Sequence, residues 1–175
     1  NLMVLTSAGY VLINEQSTEA CWDGLFEELG SRLSRSTLLP HHKPIWTPLF
    51  FNFALQLEDG SLMSIYMRYN EDGTFYIGQF NGSQTYNFNI SVLNSSTSGQ
   101  INKNVYIDGN YFGIQSISNA WNGEPDFDQL ITFLYHNHAC PGVQPGFFIA
   151  DYIQENFPLN ENQSYIYIAN EQYCK

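Results

Sequence analysis

The chain carries very little positive charge. Six Lys and Arg residues stand against 17 Asp and Glu, for a net charge of −11. Free nucleic acid and anionic membrane surfaces are repelled by such a balance, so neither is expected as a partner. A long apolar run is also missing: no stretch reaches the roughly 18 residues that a bilayer-spanning helix requires, and no integral membrane segment is expected. Cysteine is scarce. The three present, Cys21, Cys140 and Cys174, are too widely spaced for a C-x-x-C zinc knuckle. In an oxidising compartment they allow one internal disulfide and leave one thiol over.

Apolar side chains and aromatics are plentiful, at 43% and 16% of the chain, which excludes a disordered polymer; 175 residues suffice for one core or two small ones. Lysine occurs only at Lys43, Lys103 and Lys175, while Asn, Gln, Ser and Tyr are abundant. That surface chemistry is common outside the cell. The first residue is Asn rather than Met, so removal of an upstream segment such as a signal peptide is expected, with an extracytoplasmic or secreted location. Sequons at Asn81, Asn89, Asn94 and Asn162 fit export, although an Asn/Ser-rich chain also produces them by chance.

The pattern along the chain predicts an α+β fold in two parts, residues 1–120 and 121–175. Leu2 to Ile13 reads as a strand interrupted at Ser7-Ala8-Gly9. Ser17 or Thr18 caps a helix running to about Arg35, whose apolar positions Cys21, Trp22, Leu25, Phe26, Leu29 and Leu33 follow helical spacing. The segment from Pro40 to Pro44 ends it. Residues 45–118 read as an antiparallel meander, punctuated by Asp59-Gly60, Asp72-Gly73, Asn81-Gly82 and Asp108-Gly109, dipeptides that tolerate the positive φ of tight hairpins. Residues 94–100 read as a long loop. The pattern changes after Trp121-Asn122-Gly123-Glu124-Pro125. Asp126 can cap a helix up to His136, Pro141 suits the first position of a second helix that ends before Pro158, and Tyr165 to Ala169 reads as a strand leading to Glu171 and Cys174. The second helix should turn Phe148, Ile149, Tyr152 and Ile153 inward.

Chemistry concentrates in His136-Asn137-His138-Ala139-Cys140-Pro141-Gly142. Two of the four histidines and one of the three cysteines fall within five positions. Imidazole and thiolate are the usual ligands of zinc and related transition metals, and thiolate is the strongest side-chain nucleophile near neutral pH. Plainer roles exist for each residue. His136 can serve as a cation at a helix C-terminus, and Cys140 and Cys174 can form a structural disulfide. His41 and His42 lie in a Pro-bounded loop and read as solvated. Cys21-Trp22, with His138-Ala139 as a distant base, faintly matches a papain-like pair, but nothing else in the chain supports that fold. Trp22, Trp46 and Trp121 read as core or interface aromatics.

The stretch from Phe133 to Ala150 resembles the signature of the FmdE-like family, which takes its name from formylmethanofuran dehydrogenase. That signature is Phe-His-Gly-His-x-Cys-Pro-Gly followed by a spaced Gly and a helix. Glu171-Gln172-Tyr173-Cys174 is similar to the family's next marker, a strand ending in Glu-x-x-x-Cys, with one residue fewer. The resemblance covers about the last 50 residues. The N-terminal part is more loosely similar to an extension of exported members in methanogenic archaea. Asn137 replaces the family's Gly, a change that left-handed geometry accepts. The zinc-ribbon tail is absent, and the family domain continues beyond its second cysteine whereas this sequence ends at Lys175. A fragment, or a homo-oligomer in which a second chain completes the fold, is therefore expected.

The resemblance implies a cleft holding a metal or small-molecule ligand at His136, His138, Cys140 and Cys174, with zinc or another transition metal as cofactor and a link to one-carbon metabolism. Cys140 would be the catalytic nucleophile or a metal-held ligand if the chain is an enzyme. As the N-cap of the second helix, its thiolate would be favoured by the dipole. The alternative is a non-catalytic recognition module with structural cysteines.

Overall fold

A computed structural model describes residues 1–80, 106 and 110–166, and these form an α+β structure. It divides into two compact units, Asn1–Ala139 and Cys140–Lys175. The composition break expected at residues 119–125 falls inside the first unit, at the turn between two helices.

The first unit is built on strands β1 (Leu2–Thr6), β4 (Leu38–Pro40), β5 (Phe50–Gln56), β6 (Leu62–Tyr69) and β7 (Phe75–Phe80) in the order β4-β1-β5-β6-β7. The pairs β1–β5, β5–β6 and β6–β7 are antiparallel. The hairpins fall where the sequence placed them. Gly60 and Gly73, at φ 79° and 85°, take the left-handed geometry that their Asp-Gly dipeptides supply. The turns expected at Asn81-Gly82 and Asp108-Gly109, and the loop at 94–100, lie outside the described residues.

Four features differ from the sequence reading. The interrupted N-terminal strand is β1 followed by a tight hairpin, β2 (Leu12–Ile13) and β3 (Gln16–Ser17), closed by Asn14 and Glu15 at positive φ. Helix α1 (Ala20–Leu29) stops at Gly30, φ 50°, and passes into a 3-10 turn at Gly30–Arg32. Thr18 does not cap it: its hydroxyl instead accepts from Gly9 N–H and donates to Val11 O, bracing the preceding hairpin. After α1 the chain returns to the sheet as β4, which pairs parallel to β1. Pro40 is compatible with that strand because it sits at its end, at the sheet edge.

The largest difference is residues 110–118, expected in the meander. They form α2 (Asn110–Asn122). Tyr111, Phe112 and Ile114 suggest strand by propensity, yet residues 114–118 are all buried, without the alternation of a strand, and Ile114, Ile117, Ser118 and Trp121 among the buried residues share one helix face. Tertiary packing decides the conformation.

Strand alternation explains the layering. Met3, Leu5, Phe50, Asn52, Ala54, Ser64 and Tyr66 point to one face and are almost completely buried. Helix α2 covers that face, where Asn52 Nδ2 donates to Ser118 Oγ and Ser64 Oγ donates to Asn52 Oδ1. The opposite face carries Val4, Leu38 and Phe51, packed with Leu25, Leu33 and Trp22 from the α1 region. Trp22 and Trp121 are fixed by indole hydrogen bonds to Ala8 O and Ser36 O, whereas Trp46 is exposed. Helix α3 (Phe127–His136) packs through Leu130, Phe133 and Leu134. Asp126 occupies its N-cap position without a side-chain capping bond.

In the second unit, α4 (Gln144–Asn156) begins three residues later than expected. Residues 141–143 form a turn, with Val143 N–H donating to Cys140 O, and Pro145 rather than Pro141 lies in the first helical turn. Phe148, Ile149 and Tyr152, expected inward, are more than half exposed. The strand expected at 165–169 falls mostly beyond residue 166, outside the described residues, as do Glu171 and Cys174. No helix among the described residues is long and apolar enough to cross a membrane.

Candidate metal centre

The local backbone is shaped by the end of α3. Asn137 closes the helix in the left-handed conformation, φ 73° and ψ −2°, which turns the chain sharply and separates His136 from His138 by one reversed residue. The two imidazoles then face each other, ring centroids 4.5 Å apart. With Cys140 they form a half-buried group in which one ligand atom from each residue lies within 4.8 Å of the others. Among the described residues this is the one such group of His, Cys, Asp or Glu. It belongs to five consecutive residues of the chain.

Tetrahedral zinc holds N and S donors at about 2.0–2.3 Å, which puts neighbouring donors about 3.3–3.7 Å apart. Small side-chain rotations bring a group of this size to that spacing. Two imidazoles and a thiolate suit zinc or a related transition metal and not calcium or magnesium, which take oxygen. Of the four ligands expected from the sequence, the structure brings together His136, His138 and Cys140; Cys174 lies outside the described residues.

Three contacts within the first unit hold the loop. His41 Nε2 lies 3.1 Å from Asn137 O; a carbonyl only accepts, so this nitrogen carries the proton. Ser116 Oγ, on α2, accepts from Ala139 N–H at 3.0 Å. At Gly113 the Asn137 carbonyl comes so close to α2 that an added Cβ would stand 2.4 Å from it and 3.1 Å from His41 Cε1. Glycine is required there for close approach. A Phe112 ring lies 5.0 Å from the His138 ring and walls it on one side.

The expectation that His41 and His42 are solvated is half corrected. His41 is fully buried, because the chain leaving β4 dives beneath the loop; its N–H donates to Thr6 O and extends the β1–β4 pairing. His42 is exposed, but its ring sits between those of Tyr10 and Tyr135, at 4.7 and 5.8 Å. Lys43, which the sequence pattern did not single out, is only 6% exposed. The segment 41–43 thus runs along the segment 135–138. The signal for it was the pair of prolines around His-His-Lys, which read as a break and is in fact a buried crossing.

Burial pushes the His138 imidazolium pKa down, aided by the neighbouring His136 and the Lys43 cation. His138 therefore presents a neutral lone pair at neutral pH, the form a metal requires. Burial also lowers His41, to about 3, and Lys43, to about 8. Cys140 does not cap a helix, since α4 starts four residues later, so the dipole-activated nucleophile expected from the sequence has no structural basis. Cys21 packs against the core around α1, and burial raises its thiol pKa, the reverse of what a papain-like nucleophile needs. A cavity of about 550 Å³ opens beside Arg32, Phe53, Leu55 and Ile65, and no candidate metal ligand lines it.

No family model, curated protein or solved structure matches this chain.

Proposed function

We propose that this chain is an exported, FmdE-like metal-binding protein that holds zinc, or a related transition metal, through His136, His138 and Cys140. The observation that carries the reading is the convergence of three nitrogen and sulfur donors within 4.8 Å on a loop braced from two other elements. Metal-binding loops need such bracing, because partners behind the ligands fix their orientation and raise affinity. Three protein donors leave a fourth position for a small-molecule ligand, and a bound zinc ion would act there as a Lewis acid. Cys174 is the proposed fourth ligand wherever the site is closed instead. The export reading rests on the low lysine content and the sequons, and the FmdE-like reading on the His136 to Gly142 motif with Cys174.

The test is metal analysis of the full chain purified without added metal and then supplied with zinc. Roughly one zinc ion per chain is expected, lost in the double variant His136→Ala/His138→Ala. A chain that takes up no stoichiometric zinc, or a double variant that takes up as much as wild type, overturns the proposal.

A further inference from the structure

Strands β5 and β6 carry apolar side chains on both faces of the sheet, the pattern of a sheet covered on both sides. On the face away from α2 the cover is incomplete. The α1 region packs on Val4 and Phe51, but Met63 and Ile65 of β6 are only half-buried and Leu55 of β5 is exposed. A cavity of about 550 Å³ lies there, within the range of about 300–1,000 Å³ usual for small-molecule sites. Its floor is Leu2, Phe53, Leu55, Met63 and Ile65. Leu2 pairs with Leu55, Leu55 with Met63 and Phe53 with Ile65, so three adjacent strands make one continuous apolar surface.

Arg32 lines the same cavity and is exposed, which places a positive charge at its mouth. Two other arginines are engaged: Arg35 stacks on Phe127, and Arg68 lies over Tyr76 while donating to Asn70 Oδ1. Arg32 has no such partner among the described residues, and none of the described acidic residues lines the cavity. The backbone that carries it is held in place, because Thr37 Oγ donates to Arg32 O at 3.1 Å and accepts from Ser34 N–H at 2.7 Å. A guanidinium presents paired N–H donors that match a carboxylate. We infer that this cavity is a binding site for a small amphiphilic anion, an aliphatic carboxylate whose head meets Arg32 and whose tail lies on the apolar floor. Apolar area selects the tail, and the one cation beside it selects the head. The cavity shares no lining residue with the His136–Cys140 loop, so the inference does not depend on the metal reading.

The experiment titrates the full, isotope-labelled chain with hexanoate, octanoate and octan-1-ol, following amide chemical shifts. Octanoate should bind saturably, with the largest shifts around Leu2, Arg32, Phe53 and Ile65. It should bind roughly tenfold tighter than hexanoate, since each buried methylene is worth about fourfold. Arg32→Gln should weaken octanoate by about tenfold, the loss of a charged hydrogen-bonding partner, and leave octan-1-ol unchanged. A general structural defect would weaken both. Ile65→Trp, which fills the floor, should remove binding of both while the urea midpoint shows that the protein is folded. No saturable octanoate binding, shifts centred away from these residues, or no gain from hexanoate to octanoate overturns the inference. An unchanged octanoate affinity in Arg32→Gln overturns it as well. Should Ile65→Trp fail to fold, Arg32→Gln still decides the matter, because it alters an exposed side chain. None of these outcomes bears on zinc uptake, so failure here and failure of the metal reading are distinguishable.

Discussion

His41 Nε2 donates to the carbonyl oxygen of Asn137 at 3.1 Å, joining residues 96 positions apart in the chain. The bond fixes the His41 tautomer, leaves its buried Nδ1 as a lone pair without a partner, and ties the end of β4 to the loop that carries His136 and His138. Protonation would keep that bond but put a second proton on Nδ1, which has no acceptor, and bring a charge into a buried site.

Acid should therefore act through His41. Its folded pKa is about 3, held down chiefly by burial and then by the Lys43 charge, against about 6.5 when unfolded. The unfolded chain binds the extra proton between those values, so this stabilising contribution is complete above pH 6.5 and is lost as pH falls towards 3. The loss is on the order of a few kcal/mol. Urea midpoints measured from pH 7.5 down to 4 should fall more steeply for wild type than for His41→Gln. Parallel curves would show that His41 is not a buried neutral ring.

Gly113→Ala should destabilise the protein, although alanine ordinarily gains about 0.5–1 kcal/mol over glycine inside a helix. The new methyl would meet Asn137 O at 2.4 Å, and relieving that contact must displace either α2 or the loop. A net loss of about 1–3 kcal/mol is expected, together with weaker zinc binding. Thermal and urea unfolding give the sign directly, and a more stable variant would contradict the close approach.

Asn137 is expected to tolerate glycine and to reject β-branched residues. Its φ of 73° is left-handed, so Asn137→Gly should leave stability and zinc affinity nearly unchanged. Asn137→Val should cost roughly 1–2 kcal/mol and disorder the His136–His138 pairing. Zinc competition with a chromophoric chelator would separate the two variants; equal affinities would argue against a helix end in this conformation.

Ser116→Ala removes the acceptor for Ala139 N–H without touching a ligand. Zinc affinity should fall by about tenfold, as for other partners behind metal ligands, with global stability reduced by only about 1 kcal/mol. Cys140→Ser or His138→Ala should each weaken zinc by more than about 100-fold, beyond the range of such supporting partners. A Ser116→Ala effect as large as a ligand's, or none at all, would remove the bracing role of α2.

Much of this was legible in the sequence where local chemistry dictates local form. Asp59-Gly60 and Asp72-Gly73 marked the hairpins, Leu130, Phe133 and Leu134 marked α3, and Asn137 was readable as a left-handed position. The ligand group was legible because His136, His138 and Cys140 are neighbours in the chain. What the sequence concealed depends on distant partners. Helix α2 is specified by packing on the sheet, where Ser118 meets Asn52, more than by its own propensities. Strand β4 needs β1, and the burial of His41 needs the loop that arrives almost a hundred residues later. Pro141 was a misleading start signal because the turn at 141–143 intervenes and Pro145 supplies the same chemistry one turn further on.

That the three donors sit within five residues has a thermodynamic consequence. An unfolded chain keeps the same donors side by side, so a metal that the folded loop holds as proposed would bind it as well, and the gain in folding stability on adding zinc would measure only the difference between the two affinities. That difference is the share contributed by His41, Gly113 and Ser116. The rise in melting temperature on adding zinc would then be a direct reading of how well the fold has prepared its own loop.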